Sequence, residues 1–450
     1  MMKVLSTSLL LCCGFAAVAS ETKRLRGEGK TREQRFPSVA ERVKLYMSNW
    51  YVPSCPEYKD GLVRYEFTDG EWPTLMVQPM KKHPLVNHSA VLAVESKVTP
   101  DKLLYMHEET IENCADPLFN GDEETDKRQL ELAERVQFRL NMKMYCADVH
   151  DSLVTANNHV EWEGSSKKAP ILLQFGDNKV SHVYGTVMIP HIKKFRSSAT
   201  SPEELERVTS KKCYDSPRDA LVTAHANQTL QPIVWKLASS RHYGKLYQVY
   251  KEDSPWGKKK DMAVFRGQLT GSRYGYNSTL SDEENCMRMK RCRLVYNHAN
   301  SSLIYARLTN TRDKVPNVLN GVELVGGKVD LEILLQHKGI IMIEGNDVAS
   351  GLKWALLSQS VVLMPPPKHT SWAMEELLEP WVHYVPLNDL ATDVEERMQW
   401  VVDNDAEAQR ISARATLWME DLVFHPDAAE DDRLIEEEML RRYRLHFRSA

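Results

Sequence analysis

The clearest pattern of apolar and polar positions lies in the last third of the chain. "KGIIMIEG" is an unbroken apolar run that ends in a glycine among polar residues. A stretch with Val348, Leu352, Ala355 and Leu356 on one helical side follows, and then "SVVLMPP", a second unbroken run. Runs without alternation are typical of strands covered on both faces, so the pattern predicts strand, helix over residues 347–358, and strand in parallel pairing. "WVHYVPL" reads as a further strand. Thr392-Asp393-Val394-Glu395 reads as a capping box opening a helix through residue 402, and a helix pair over about 406–422 and 432–447 closes the chain.

Upstream the pattern is more mixed. Residues 39–60 read as a helix and then a Cys- and Pro-rich turn, and residues 126–144 have helical spacing. "APILLQFGD" is an apolar strand ending in Gly176-Asp177, Ser201-Pro202-Glu203-Glu204 is a helix start, and "DMAVFRG" is a short strand ending in Arg266-Gly267. Strands alternating with helices imply an α/β protein with two Rossmann-like layers facing a cleft. The predicted division is 1–19 signal peptide, 20–37 disordered linker, 38–245 acceptor-side domain, 246–425 donor-binding domain and 426–450 C-terminal helix.

Composition supports a packed core: 450 residues, 42% hydrophobic and 27% charged. A net charge of −4 argues against a dedicated nucleic-acid binder. Met1 to Lys3 are followed by an apolar run and by Ala17-Val18-Ala19, the small-x-small pattern of signal-peptide cleavage. The run is short of the ~20 residues a membrane span needs, and no later stretch reaches that length. The expectation is therefore the ER or Golgi lumen, or secretion. There Cys55, Cys114, Cys146, Cys213, Cys286 and Cys292 would form disulfides, with 15 pairings open to six cysteines and Cys286 close enough to Cys292 to bond it. Zinc is disfavoured because no paired C-x-x-C motif occurs. Sequons at Asn87, Asn227, Asn277 and Asn300 fit the same destination.

The joint Glu344-Gly345-Asn346-Asp347 carries candidate chemistry. Ligands of parallel sheets sit at the carboxyl ends of strands, where a glycine admits close approach and a helix start favours an anion. Ser350 and Lys353 would add a hydroxyl and a charge, and Glu344 would accept from a sugar or ribose. Equally, Asn346 or Asp347 would simply cap the helix. "VFRGQLTGSR" is a second strand-end loop of this kind, with Arg266 and Arg273 suited to a diphosphate. Asp177, at the end of its strand, is placed as a general base, or as a turn residue. Asp403-Asn404-Asp405 reads as a helix junction, Asp148, His150 and Asp151 as a solvated loop, and Trp372 and Trp381 as packing or sugar-stacking residues.

With these motifs the chain resembles glycosyltransferase family 90, which includes the Rumi-type protein O-glucosyltransferases and fungal capsule-associated xylosyltransferases. The resemblance is strongest over about 255–420: "PWGKKKDMAVFRGQLTG", "HKGIIMIEGNDVASGLKWALLSQSVVLMPP" and "SWAMEELLEPWVHYVPLNDL". It implies a two-domain GT-B-like fold and inverting, metal-independent transfer of glucose or xylose from a UDP-sugar to a hydroxyl of a protein or glycan, with no other cofactor. On this resemblance Asp177 matches the catalytic base. Arg266, Gly267 and Thr270 match one donor loop, Gly345 and Ser350 the second, and His383 and Tyr384 a Trp-Val-His-Tyr signature. Rumi-type members carry arginine where this chain has Glu344, whereas other branches of the family carry glutamate there, so the departure speaks to branch rather than to inactivity; Arg273 and Lys353 are each slightly shifted. Two other readings stand beside this one: a secreted carbohydrate-binding protein without activity on the same fold, and a glycoside hydrolase pairing Glu344 with Asp177, which would leave the diphosphate-type loops unexplained.

Overall fold

The computed structural model describes residues 36–48, 91–94, 171–174, 192–198, 231–236, 240–271 and 275–446. The signal-peptide segment, the helices expected at 126–144 and near 201, Asp148, His150, Asp151, Asp177, Arg273, four of the cysteines (Cys55, Cys114, Cys146, Cys213) and the sequons at Asn87 and Asn227 lie outside the described residues.

The N-terminal part contributes helix α1 (Val39–Met47) and strands β1 (Val91–Val94), β2 (Ile171–Gln174), β3 (Ile192–Lys193), β4 (Phe195–Ser197) and β5 (Ile233–Val234). β1, β2, β3 and β5 form one sheet in that order, with β1 antiparallel and the rest parallel. Helix α1 begins with a complete capping box between Ser38 and Glu41. Phe36, read from sequence as linker, is buried edge-on against Trp418 with centroids 5.3 Å apart.

Next come helix α2 (Ser240–Glu252), strand β6 (Lys260–Gln268), helices α3 (Asp282–Arg288) and α4 (Lys290–Asn297), strand β7 (Ile304–Asn310) and the hairpin β8–β9 (Val318–Leu319, Val322–Glu323). They are followed by helix α5 (Leu331–Leu335), strand β10 (His337–Ile341), helix α6 (Leu352–Leu357) and strands β11 (Val361–Met364), β12 (His369–Ser371) and β13 (Val385–Pro386). Helices α7 (Val394–Asp403), α8 (Asp405–Val423) and α9 (Ala428–His446) complete the fold. The predicted boundary at 245/246 falls inside α2. The predicted capping box at Thr392 does not form: Asp393 takes the N-cap position, and its carboxylate accepts from Asn388 N and Arg397 Nε. Asn404 is the junction between α7 and α8, and Asp405 accepts from Trp256 and Lys338.

The central sheet has the order β13-β11-β10-β6-β7, and all neighbours are parallel. Both faces are covered, which explains the unbroken apolar runs. Val264, Ile340 and Val362 enter one core with α1, α2, α6, α8 and α9. Ala263, Phe265, Ile341, Val361 and Leu363 enter the other with α3, α4 and α7. Cys286 and Cys292 are bonded to each other across the α3–α4 kink, as their spacing allowed.

The chain runs from β6 outward to β7 and then crosses to β10 on the opposite side of β6. The switch in direction therefore falls between β6 and β10, the place where ligands bind in open parallel sheets. β12 pairs with β4, and Arg42 of α1 forms ion pairs with Asp431 and Asp432 of α9, so the C-terminal part joins the N-terminal part at two separate places. Among the described residues no helix is long and apolar enough to cross a membrane.

Close packing over the sheet gives a direct test. A Cβ at Gly339 of β10 would lie 2.8 Å from Ala263 Cβ, 2.9 Å from Leu363 Cδ1 and 2.9 Å from Met398 Sδ. Gly339→Ala is expected to lower stability by about 1–3 kcal/mol through overpacking, read from the midpoint of urea denaturation.

Candidate functional site

Two loops leave the carboxyl ends of β6 and β10 side by side. A bulge between Gly267 and Gln268, where the register to β7 slips, redirects the first loop as it leaves the sheet. Gly271 has φ +74°, and a Cβ there would come within 2.8 Å of the Gly345 carbonyl oxygen. A Cβ at Gly345 would meet Thr270 Oγ1 at 2.3 Å. The loops touch backbone to backbone, and both positions need glycine.

Each residue of the Glu344–Asp347 joint has a distinct partner. Glu344 Oε1 accepts from the backbone N–H of Lys368 and His369, and its Oε2 faces His369 Nδ1, all at 3.0 Å. Asn346 Oδ1 accepts from Gly271 N at 3.0 Å, tying one loop to the other. Asp347 pairs with Lys194 Nζ at 2.7 Å, a residue of the N-terminal part between β3 and β4. Both cap-capable side chains are thus spent on tertiary contacts, and the helix predicted from residue 347 begins at Leu352 instead. Its N-terminus therefore does not sit at Gly345. Ser350 is exposed on the turn before it.

Beneath both loops lies Arg291 of α4. Its Nη1 donates to Gln268 O at 2.8 Å and to Thr270 Oγ1 at 2.7 Å, and its Nη2 donates to Ile343 O at 2.5 Å. Burial pushes its pKa down to about 10, against the opposing pull of Asp347 and Glu344. The sequence analysis did not single it out. It is one cation among several in "CMRMKRC", and only the fold places it under two loops whose nearest bonded residues are 21 and 52 positions away.

Beside the joint opens a shallow cleft between the ends of β10 and β11, lined by Lys290, Met342, Leu352, Met364, Pro365–Pro367 and Lys368. Burial, and then the charge of Lys368, lowers the pKa of Lys290. Lys368 pairs with Asp389 and Lys194 with Asp347. Arg291 spends its hydrogen bonds on neutral acceptors, and Lys290 has no ion pair among the described residues. Asp347 is neutralised by Lys194, and Glu344 accepts from two backbone N–H groups and faces His369, so Lys290 and Arg291 are left to give the loops a positive local field.

Three predicted site residues stand elsewhere. Arg266 is opposite Arg307 in the sheet register, yet its guanidinium lies over the ring of Tyr305, two residues nearer the amino ends, at 4.2 Å. It is folded back from the loops, and its Nε and Nη2 are buried without partners among the described residues. Lys353 is buried, with Nζ 3.5 Å from Glu375 Oε1, so it stabilises the core rather than extending to an anion. Glu344 is engaged as a clasp on residues 368–369 rather than left free for a sugar. His383 and Tyr384 are buried as well, and His383 Nδ1 accepts from Glu379 N to hold a turn. Trp372 is core, whereas Trp381 is partly exposed against Trp400. Thr270, Gly271, Gly345, Asn346 and Asp347 do come together.

Residues 243–425, about two-fifths of the chain, match the model of glycosyl transferase family 90. This segment is a family 90 glycosyltransferase domain. It contains the whole five-stranded parallel sheet and both glycine loops. The chain is 42% identical over 85 residues to the O-glucosyltransferase LpsA of Dichelobacter nodosus, covering 19% of this chain and 27% of that protein. It is 28% identical over 164 residues to the O-glucosyltransferase rumi of Drosophila pseudoobscura pseudoobscura, covering 36% of each. With the protein O-glucosyltransferase 2 of Danio rerio it shares 36% identity over 80 residues, 17% of this chain and 15% of that one. The aligned parts thus span about a third or less of these relatives' lengths.

The two placements of Lys353, in the family 90 domain's core or at its ligand, predict different outcomes. Lys353→Met leaves Glu375 without its cation and is expected to cost about 3 kcal/mol of stability. The affinity of the folded variant for UDP, measured by calorimetry, is expected to match the wild type. A selective loss of affinity would return Lys353 to the donor site.

Proposed function

We propose that this protein is a glycosyltransferase that moves a sugar, glucose or xylose, from a UDP-sugar to a hydroxyl of a protein or glycan acceptor. The observation that carries the reading is the pair of touching glycine loops at the switch point of a family 90 domain, set over the half-buried Arg291 and beside an open cleft. Loops whose backbones approach this closely offer room and N–H groups to a diphosphate, and the positive local field favours its charge.

In this reading Asp177 removes the proton of the acceptor hydroxyl as that oxygen attacks the anomeric carbon. β2 ends at Gln174, so the carboxylate follows the carboxyl end of a parallel strand of the N-terminal sheet. The sugar–phosphate bond breaks on the opposite face, with inversion, and the charge developing on UDP is stabilised by Lys290 and the loop backbone. Transfer without a metal, and a GT-B arrangement that puts the two sheets across a cleft, belong to the same proposal and rest on the family resemblance. The Cys286–Cys292 disulfide supports the secretory pathway as the site of action.

The test is UDP release by the purified protein offered single UDP-sugars, beside Asp177→Asn. One sugar is expected to be turned over without added metal, and the variant is expected to be slower by about 10²–10⁴. Absence of both release and thermal stabilisation by UDP would overturn the transferase reading in favour of a binding protein without activity.

A further inference from the structure

We propose that Arg291 is the positioning residue that sets the distance between the two glycine loops and thereby the affinity for the donor. This inference rests on the donor reading above and deepens it.

One guanidinium holds both loops. Its two terminal nitrogens donate to Gln268 O and Thr270 Oγ1 on one loop and to Ile343 O on the other. A planar fork can serve acceptors on two sides at once, whereas an ammonium is a single point. The space around it is filled: a Cβ at Gly345 would lie 3.1 Å from Nη2 and 2.3 Å from Thr270 Oγ1. The loops therefore cannot close further without striking the guanidinium, nor open without breaking its hydrogen bonds.

The base of the fork is rigid. Cys292, the next residue of α4, is fully buried and bonded to Cys286, while Leu294 and Val295 pack into the core. Nε of Arg291 is buried with no partner among the described residues, so the side chain is held by its loop contacts at the expense of one donor. Desolvating a guanidinium for neutral acceptors is costly, and stability alone gives little reason for it. A polar spacer beneath an anion site accounts for both the burial and the uncancelled charge.

Arg291 is half-buried, and its hydrogen bonds go to the two loops, so it acts through them. Arg291→Lys keeps the charge and loses the two-sided grip. The experiment measures UDP affinity by calorimetry, and donor KM and kcat by UDP release, for the wild type, Arg291→Lys, Thr270→Val and the double variant. Arg291→Lys is expected to weaken UDP binding and raise donor KM by about tenfold or more, with kcat falling far less. Thr270→Val, which removes a single acceptor, is expected to fold even where Arg291→Lys does not, and to weaken UDP binding by a smaller factor. The losses are expected to be less than additive in the double variant, because both act on one contact. Wild-type affinity in Arg291→Lys, or additive losses, would overturn this inference and leave the donor reading intact. A fall in kcat at constant KM would overturn it too, by assigning Arg291 to the transition state. A wild-type protein that binds no UDP would overturn the donor reading and this inference together.

Discussion

Parallel strands β6 and β10 are neighbours, so their outgoing loops leave the sheet at the same rim and must pass within contact distance. That constraint organises the rest of the site. It demands glycine at 271 and 345, where any side chain would strike the opposite backbone or Thr270. It places a cation where it can bond both loops at once, and Arg291 of α4 fills that place. The doubly covered sheet makes the constraint stiff, because buried apolar contacts on both faces leave β6 and β10 no freedom to slide apart.

An acidic joint at an anion site looks like a contradiction, and the hydrogen bonds resolve it. The Glu344 carboxylate is consumed by two backbone N–H groups and by His369, which fastens the segment that walls the cleft. The Asp347 carboxylate is consumed by Lys194, which brings the N-terminal part against the second loop. Asn346 links that loop to Gly271. The four residues Glu-Gly-Asn-Asp are thus four connections: to the cleft wall, to the opposite backbone, to the first loop and to the N-terminal part. A tight turn would have needed only the glycine.

The sheet was legible in the sequence because strands buried on both faces declare themselves as continuous apolar runs: "VVLM" is β11 residue for residue, and "GIIMI" overlaps the second half of β10. Helix α2 and strand β7 were not singled out, since in "IYARLTN" polar residues interrupt the run where β7 forms the sheet edge. The start of α6 was placed too early because Asn346 and Asp347 look like caps, and only tertiary partners reveal that they are used elsewhere. The two glycine loops were legible as loops. That Lys353 turns into the core and Arg266 folds back onto Tyr305 was not, because local spacing does not specify which way a side chain leaves its backbone. Arg291 and Lys194 carried no local signal at all: their roles exist only once distant segments meet.

The central claim is that one ligand closes on both loops together. Hydrogen exchange of the intact protein, followed by mass spectrometry with and without UDP, tests it most directly. The account predicts slowed exchange in peptides covering residues 268–271 and 343–347 at the same UDP concentration. Protection of one loop without the other, or of neither while UDP is bound, would contradict it.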